Sequence, residues 1–195
     1  MICQTISRRW IYFCLIVFFT LSAGRGFGAT VIAPSFDQLV ESADLIFTGQ
    51  TRSQRSEWRN IGGQKSIVTL VSFRVSAVHK GRADSVVTLQ FLGGAVGDVT
   101  LDVSDMPKFR KGERVVLFVQ KNGANASPLI GFYHGKFSLQ SDATGRETVW
   151  KHDGEAVMDV LEIGRSKPTA RSARVPLSNE EFTGKVREHL SRSRE

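Results

Sequence analysis

The chain has 195 residues and a formal net charge of +7, with 26 basic side chains, 19 acidic ones and only two cysteines. Cys3 and Cys14 both fall within the first 28 residues, which excludes disulfides, cysteine nucleophiles and thiolate metal sites from everything downstream. Residues 30–164 carry 15 basic and 15 acidic side chains and residues 165–195 carry eight and four, so a neutral body with a mildly basic tail argues against nucleic acid as a partner.

Residues 1–28 read as a signal peptide. Arg8 and Arg9 precede Trp10–Leu21, an apolar run of twelve broken only by Thr20, and a small-residue stretch follows. A spanning helix needs about 20 apolar residues, so the run fits a cleaved secretory signal better than an anchor. Cleavage is expected after Gly28, with Gly24 as the second choice. The remaining 167 residues keep 23 basic and 19 acidic side chains, a net charge of +4. That length suits one domain with one good core. The mature protein is expected to be periplasmic or secreted, meeting the membrane only transiently through its signal.

After the signal, "APSFDQLVESAD" predicts a short helix. Ser35 suits the N-cap, and Phe36, Leu39, Val40 and Ala43 share one face. From Leu45 the period changes to two. "LIFTGQTRSQ" reads as a strand broken by the polar stretch "RSEWRNIGGQK". The next run places Ile67, Thr69, Val71, Phe73, Val75 and Ala77 on one face, with His79 continuing that face, Lys80 pointing outward and Gly81 opening a turn. Further strands are expected at "SVVTLQFL", "VTLDV", "ERVVLFVQ", "PLIGFYHGKFSLQ" and, weakly, "ETVW", with turn signals between them. The unalternating run Val115–Val119 predicts a strand covered on both faces. Phe73, Val75, Leu89, Val116 and Phe118 are expected in the core of one barrel.

The fold class is therefore mostly β, a small OB-like antiparallel barrel with a short N-terminal and a C-terminal helix. Residues 29–164 would form the barrel, 165–177 a basic linker, and 178–195 a helix packed on the barrel. Ser178 and Glu181 fit a capping box there, and Phe182, Val186 and Leu190 recur at helical spacing.

Reactive residues stand in ordinary settings. His79, His134, His152 and His189 show no metal-ligand spacing, so no metal or other cofactor is expected. The pair His152-Asp153 sits in turn chemistry, "KHDGE". The glycine-rich "FLGGAVGD" lacks either phosphate-loop pattern and reads as a hairpin connection. Asp98, Asp102 and Asp105 are out of register for a calcium loop, and no serine lies in Gly-x-Ser-x-Gly.

The order "ADLIFTGQ", variable loop, "TLVSFRVSAVHKG", "VVTLQFLGG" and "KFRKGERVVLFV" resembles the netrin-like module of tissue inhibitors of metalloproteinases over about residues 43–120. Val78, Lys80 and Gly81, then Gly112, Glu113, Val116, Leu117 and Phe118, match that family's short motifs. It also looks like exported bacterial proteins of the same pattern. The resemblance implies a five-stranded OB-type barrel with C-terminal helical packing. It does not carry over protease inhibition, which in that family depends on an N-terminal cysteine and disulfides that this chain lacks.

The expectation is an exported binding or interaction module without evident catalytic activity, meeting a protein or cell-envelope partner. The alternatives are a secreted hydrolase with a dispersed site and a loop-based protease inhibitor. A pocket lined by two or more titratable groups with displaced pKa values would favour an enzyme; a projecting loop with exposed aromatics would favour a binder. The binding residues would be Trp58 and Arg59, in the hairpin connection Ser56–Lys65, since tryptophan and arginine are enriched at binding hot spots. Trp58 could equally fold back to cover the barrel edge. The resembled inhibitors use a corresponding projecting hairpin in target contact.

Overall fold

Two three-stranded antiparallel meanders, joined through their first strands, make the sheet of this protein. The computed structural model describes residues 33–165 and 175–193; the expected signal peptide, and residues 166–174 of the expected linker, lie outside them. Helix α1 (Phe36–Ser42) leads into β1 (Leu45–Ile61), β2 (Gln64–Lys80) and β3 (Val86–Leu92). A small hairpin, β4 (Gly94–Val96) and β5 (Val99–Leu101), precedes β6 (Arg114–Val119), β7 (Lys136–Ser141) and β8 (Glu147–Lys151). A 3-10 turn (Val160–Glu162) and helix α2 (Asn179–Arg192) follow. The strand order is β3-β2-β1-β6-β7-β8, antiparallel throughout, and β4-β5 stands apart as a two-stranded sheet. All described residues fall in one unit, Ile32–Glu195.

The described strands do not close into a barrel. Both sheet edges are covered by loops instead, which removes the hazard of unpaired strand edges without strand-to-strand closure. Along β3, Ala126 O accepts from Leu92 N, and the Asn122 side chain bonds both Gln90 N and Thr88 O. Along β8, Val157 N donates to Val149 O, and Val149 N donates to Leu177 O. Leu177, which the sequence places in the linker, is thus held against the sheet.

The core is double rather than single. One cluster joins Ile46, Val116, Phe118, Phe137, Leu139 and Val149 of the sheet to Phe36, Leu39 and Val40 of α1 and Phe182 and Val186 of α2. Phe182 lies 4.9 Å from Phe137 and 5.8 Å from Phe36, centroid to centroid, so it docks both helices on the sheet. The other cluster, on the opposite face, gathers Phe47, Val71, Phe73, Leu89, Phe91, Val115 and Leu117, with Phe109 and Leu129 from loops. Strand β6 alternates between the two, so both its faces are buried as its unalternating sequence predicts. Phe73, Leu89 and the partly buried Val75 share the second cluster, while Val116 and Phe118 belong to the first. Each fully buried phenylalanine contributes about 1.5–3 kcal/mol of hydrophobic transfer energy.

Both helices begin as their sequences dictate. Ser35 with Gln38, and Ser178 with Glu181, form reciprocal capping boxes that satisfy two orphan N–H groups each. The end of β2 departs from simple alternation. Register shifts put Ser76 and His79 outside the backbone pairing with β1, and each extra residue turns the following side chains. His79 therefore does not extend the face of Phe73 and Val75. It meets Thr48 and lies beside Thr183 and Arg187 of α2. Nor does Lys80 point freely outward: its Nζ donates to Val40 O at 2.8 Å and Glu41 O at 2.9 Å, binding the orphan carbonyls at the end of α1. Gly81, at φ +79°, abuts the chain so closely that a Cβ would stand 2.4 Å from Asp44 O. The Lys-Gly pair is a helix-docking device.

Candidate functional site: the β1–β2 hairpin tip

Strand β1 is 17 residues long because the polar stretch after Thr51 does not break it. Pairing with β2 runs on through Arg55↔Leu70, Trp58↔Ile67 and Ile61↔Gln64, so the expected connection Ser56–Lys65 is mostly strand. Only Gly62 and Gly63 turn, at φ +57° and +84°, the two positive angles of a tight hairpin turn matched to strand twist. Backbone pairing holds this stretch in register, with Ile67 and Val68 of β2 buried opposite Trp58 and Glu57.

Neighbouring strand residues point to opposite faces, and this separates the two expected site residues. Trp58 keeps 41% of its surface exposed, with the Lys65 ammonium 5.2 Å from its ring centroid. Arg59 is engaged elsewhere: its Nε donates to Glu57 Oε1 at 2.6 Å and its Nη1 to Gln90 Oε1 at 3.0 Å. Arg59 and then Arg55 hold the Glu57 carboxyl below the usual carboxylate range. Trp58 is the free aromatic and Arg59 the strut of the opposite face.

The histidines occupy three separate places. His79 Nε2 lies 2.8 Å from Thr48 Oγ1, a spacing that a base and a nucleophile could share. Thr48, however, is only 3% exposed, and among the described residues no hydrogen bond orients the other ring nitrogen. Burial, then the charge of Arg187, lowers the His79 pKa. His134 and His152 flank Tyr133, with ring centroids 4.4 and 4.0 Å from the phenol ring. Both pKa values are lowered by burial first; the facing imidazole adds to the effect at His134, and at His152 Asp153 opposes it while Lys151 adds to it. The third place is between the helices, where His189 Nδ1 sits 3.0 Å from Asp37 Oδ1.

Other sequence features resolve into structure. "FLGGAVGD" forms the β4–β5 hairpin, and "KHDGE" is a turn with Gly154 at φ +84°. Glu113 of the "KGE" motif makes a buried ion pair with Lys136 at 2.8 Å and accepts from Ser138 Oγ and Arg110 N. Burial raises the Glu113 pKa, but Lys136 and these donors outweigh it and leave the carboxyl below its ordinary value. Sequence reasoning missed this pair because Glu113 and Lys136 are distant in the chain. Among the described residues no group of three or more histidine, cysteine or acidic side chains could hold a metal, and no helix is long and apolar enough to cross a membrane.

No protein-family model matches the chain, and neither a curated protein nor a solved structure shows significant similarity to it.

Proposed function

We propose that this chain is an exported binding module, periplasmic or secreted, that grips a protein or cell-envelope partner with the tip of its β1–β2 hairpin. The observation that carries this reading is the exposed Trp58 on a tip held in register by backbone pairing and a two-glycine turn. A large aromatic on a preorganised strand loses little side-chain freedom when it is covered, so its burial goes into affinity. The Lys65 ammonium against the indole presents a cation beside the apolar face. The netrin-like resemblance points the same way, since those inhibitors use a corresponding hairpin against their targets. Thr48, the hydroxyl within reach of His79, keeps only 3% of its surface exposed, which makes it a poor nucleophile for the hydrolase alternative.

Affinity capture from extracellular and envelope extracts, with the full chain as bait, tests the proposal. Trp58→Ala should weaken binding of the captured partner by ~1 kcal/mol or more, the threshold of a hot-spot contact. Arg59→Ala should weaken it by releasing Glu57 and the strand below. Retention of the same partner at wild-type affinity by both variants overturns the proposal.

A further inference from the structure

Beyond the hairpin tip, we infer that the groove where β6 parts from β1 is a binding site for a small, multiply charged oxyanion, of the polyphosphate or polycarboxylate kind. The groove encloses about 570 Å³ and is lined by Arg52, Arg74 and Lys111, with Ser53, Ser72 and Gln50 between them and no acidic residue among its lining. That volume is of the size that small-molecule sites take.

Each cation is placed by a specific feature of the fold. Arg52 is the extra residue at a register shift, since Thr51 pairs with Phe73 and Ser53 with Ser72. A bulge of this kind re-aims the side chain that it carries. Arg74 stands on β2 between Gln50 and Val86, its partners on either side. Lys111 rides a turn that β1 pins twice: Gln50 Nε2 donates to Gly112 O at 3.0 Å, and Gly112 N donates to Thr51 O at 2.8 Å. Gly112 at φ +85° permits that turn.

Among the described residues Arg52, Arg74 and Lys111 have no carboxylate partner, a state they share with other cations such as Lys65, Arg82 and Arg110; what sets them apart is that the groove gathers all three in one lining without an acidic residue. Three cations gathered around one groove whose lining holds no acidic residue favour an anion that they share. Guanidinium forks match the paired oxygens of phosphate and carboxylate, and a third cation favours a ligand with more than one such group. The neutral count over residues 30–164 conceals this segregation, because folding gathers cations from three separate stretches of chain.

Isothermal titration of the full chain at low ionic strength, with inorganic tripolyphosphate and with citrate, tests the site and separates its two chemistries. Binding of tripolyphosphate alone assigns phosphate, and binding of citrate alone assigns carboxylate. Either should weaken as salt is raised. Arg74→Glu and Lys111→Glu should each loosen binding at least about tenfold, the change expected from losing a charge-assisted hydrogen bond. Arg187→Glu, an exposed charge reversal on α2, and Trp58→Ala should leave it within about twofold. Lys111→Gln, on an exposed turn, reports the loss should Arg74→Glu fail to fold. Absence of binding to both anions by the wild type, or an equal loss with Arg187→Glu, overturns the inference. Because Trp58 lies outside the groove, this result stands or falls independently of the hairpin's role.

Discussion

Strand β1 is two strands in physical terms. From Leu45 to Thr51 it runs between two cores, with Ile46 and Phe47 fully buried on opposite faces. From Arg52 to Ile61 the same strand carries no fully buried side chain, and exposed charges and hydroxyls take over. The rooted half is fixed by burial, which is worth several kcal/mol per large side chain. The far half is fixed by the Gly62–Gly63 turn and by pairing with β2, whose Ile67, Val68 and Leu70 are buried opposite Trp58, Glu57 and Arg55. The far half of β1 leaves its own side chains outside both cores, which is what the proposed contact requires.

The largest expected effect lies in the rooted half. Phe118, between β1 and α2, touches Phe137 and Phe182 at 5.6 and 6.2 Å. Phe118→Ala should cost about 3–5 kcal/mol in equilibrium denaturation. Ile61→Ala, at the far end of β1, should cost less than about 0.5 kcal/mol if the halves differ as described. Equal losses would erase the contrast.

Second in size is the ion pair. Lys136→Ala strands the buried Glu113 carboxylate and should cost about 3 kcal/mol. The exposed Arg55–Glu57–Arg59 cluster of the far half is a different case, and Glu57→Gln should leave the unfolding transition where it is. Chemical denaturation of both variants distinguishes a buried pair from a surface one. A harmless Lys136→Ala would mean that Glu113 is hydrated.

Acid should act more gently, and first on the rooted body. The pKa values of His79, His134 and His152 lie below the ordinary histidine value in the fold, so the unfolded chain binds protons that the folded chain refuses. Their contribution is therefore complete above pH about 6.5 and lost as pH falls below it. Glu113 follows the same sign at lower pH, with stability lost as its carboxylate is protonated. Melting temperature should fall from about pH 7 to about pH 5, and His79→Gln with His134→Gln should flatten that slope. A slope that the double variant leaves unchanged would assign the acid sensitivity elsewhere.

What the sequence makes legible follows the same division. Periods of two and 3.6, capping boxes and the unalternating Val115–Val119 run expose the strands, both helices and the doubly covered β6, since each is a local pattern with a local cause. Polar composition hides the far half of β1, because "RSEWRNIGGQK" looks like a loop when strand pairing rather than burial holds it. The two cores are hidden too, as a run such as Val115–Val119 says that both faces are buried but not that different partners cover them. Bulges at Ser76 and His79 leave no mark in an alternating sequence, yet they move His79 to the helical side. At the candidate site, Trp58 is visible by residue type alone. Its separation from Arg59 follows only once the stretch is known to be a strand, and the Arg52–Arg74–Lys111 groove only once the strands are paired.

Thermal unfolding of Trp58→Ala, run beside capture of the partner, tests the proposed role of this hairpin tip. The melting temperature should be unchanged from wild type while the captured partner is lost. A melting temperature lowered by several degrees, with the partner still bound, would contradict it and make Trp58 a cover for the sheet edge.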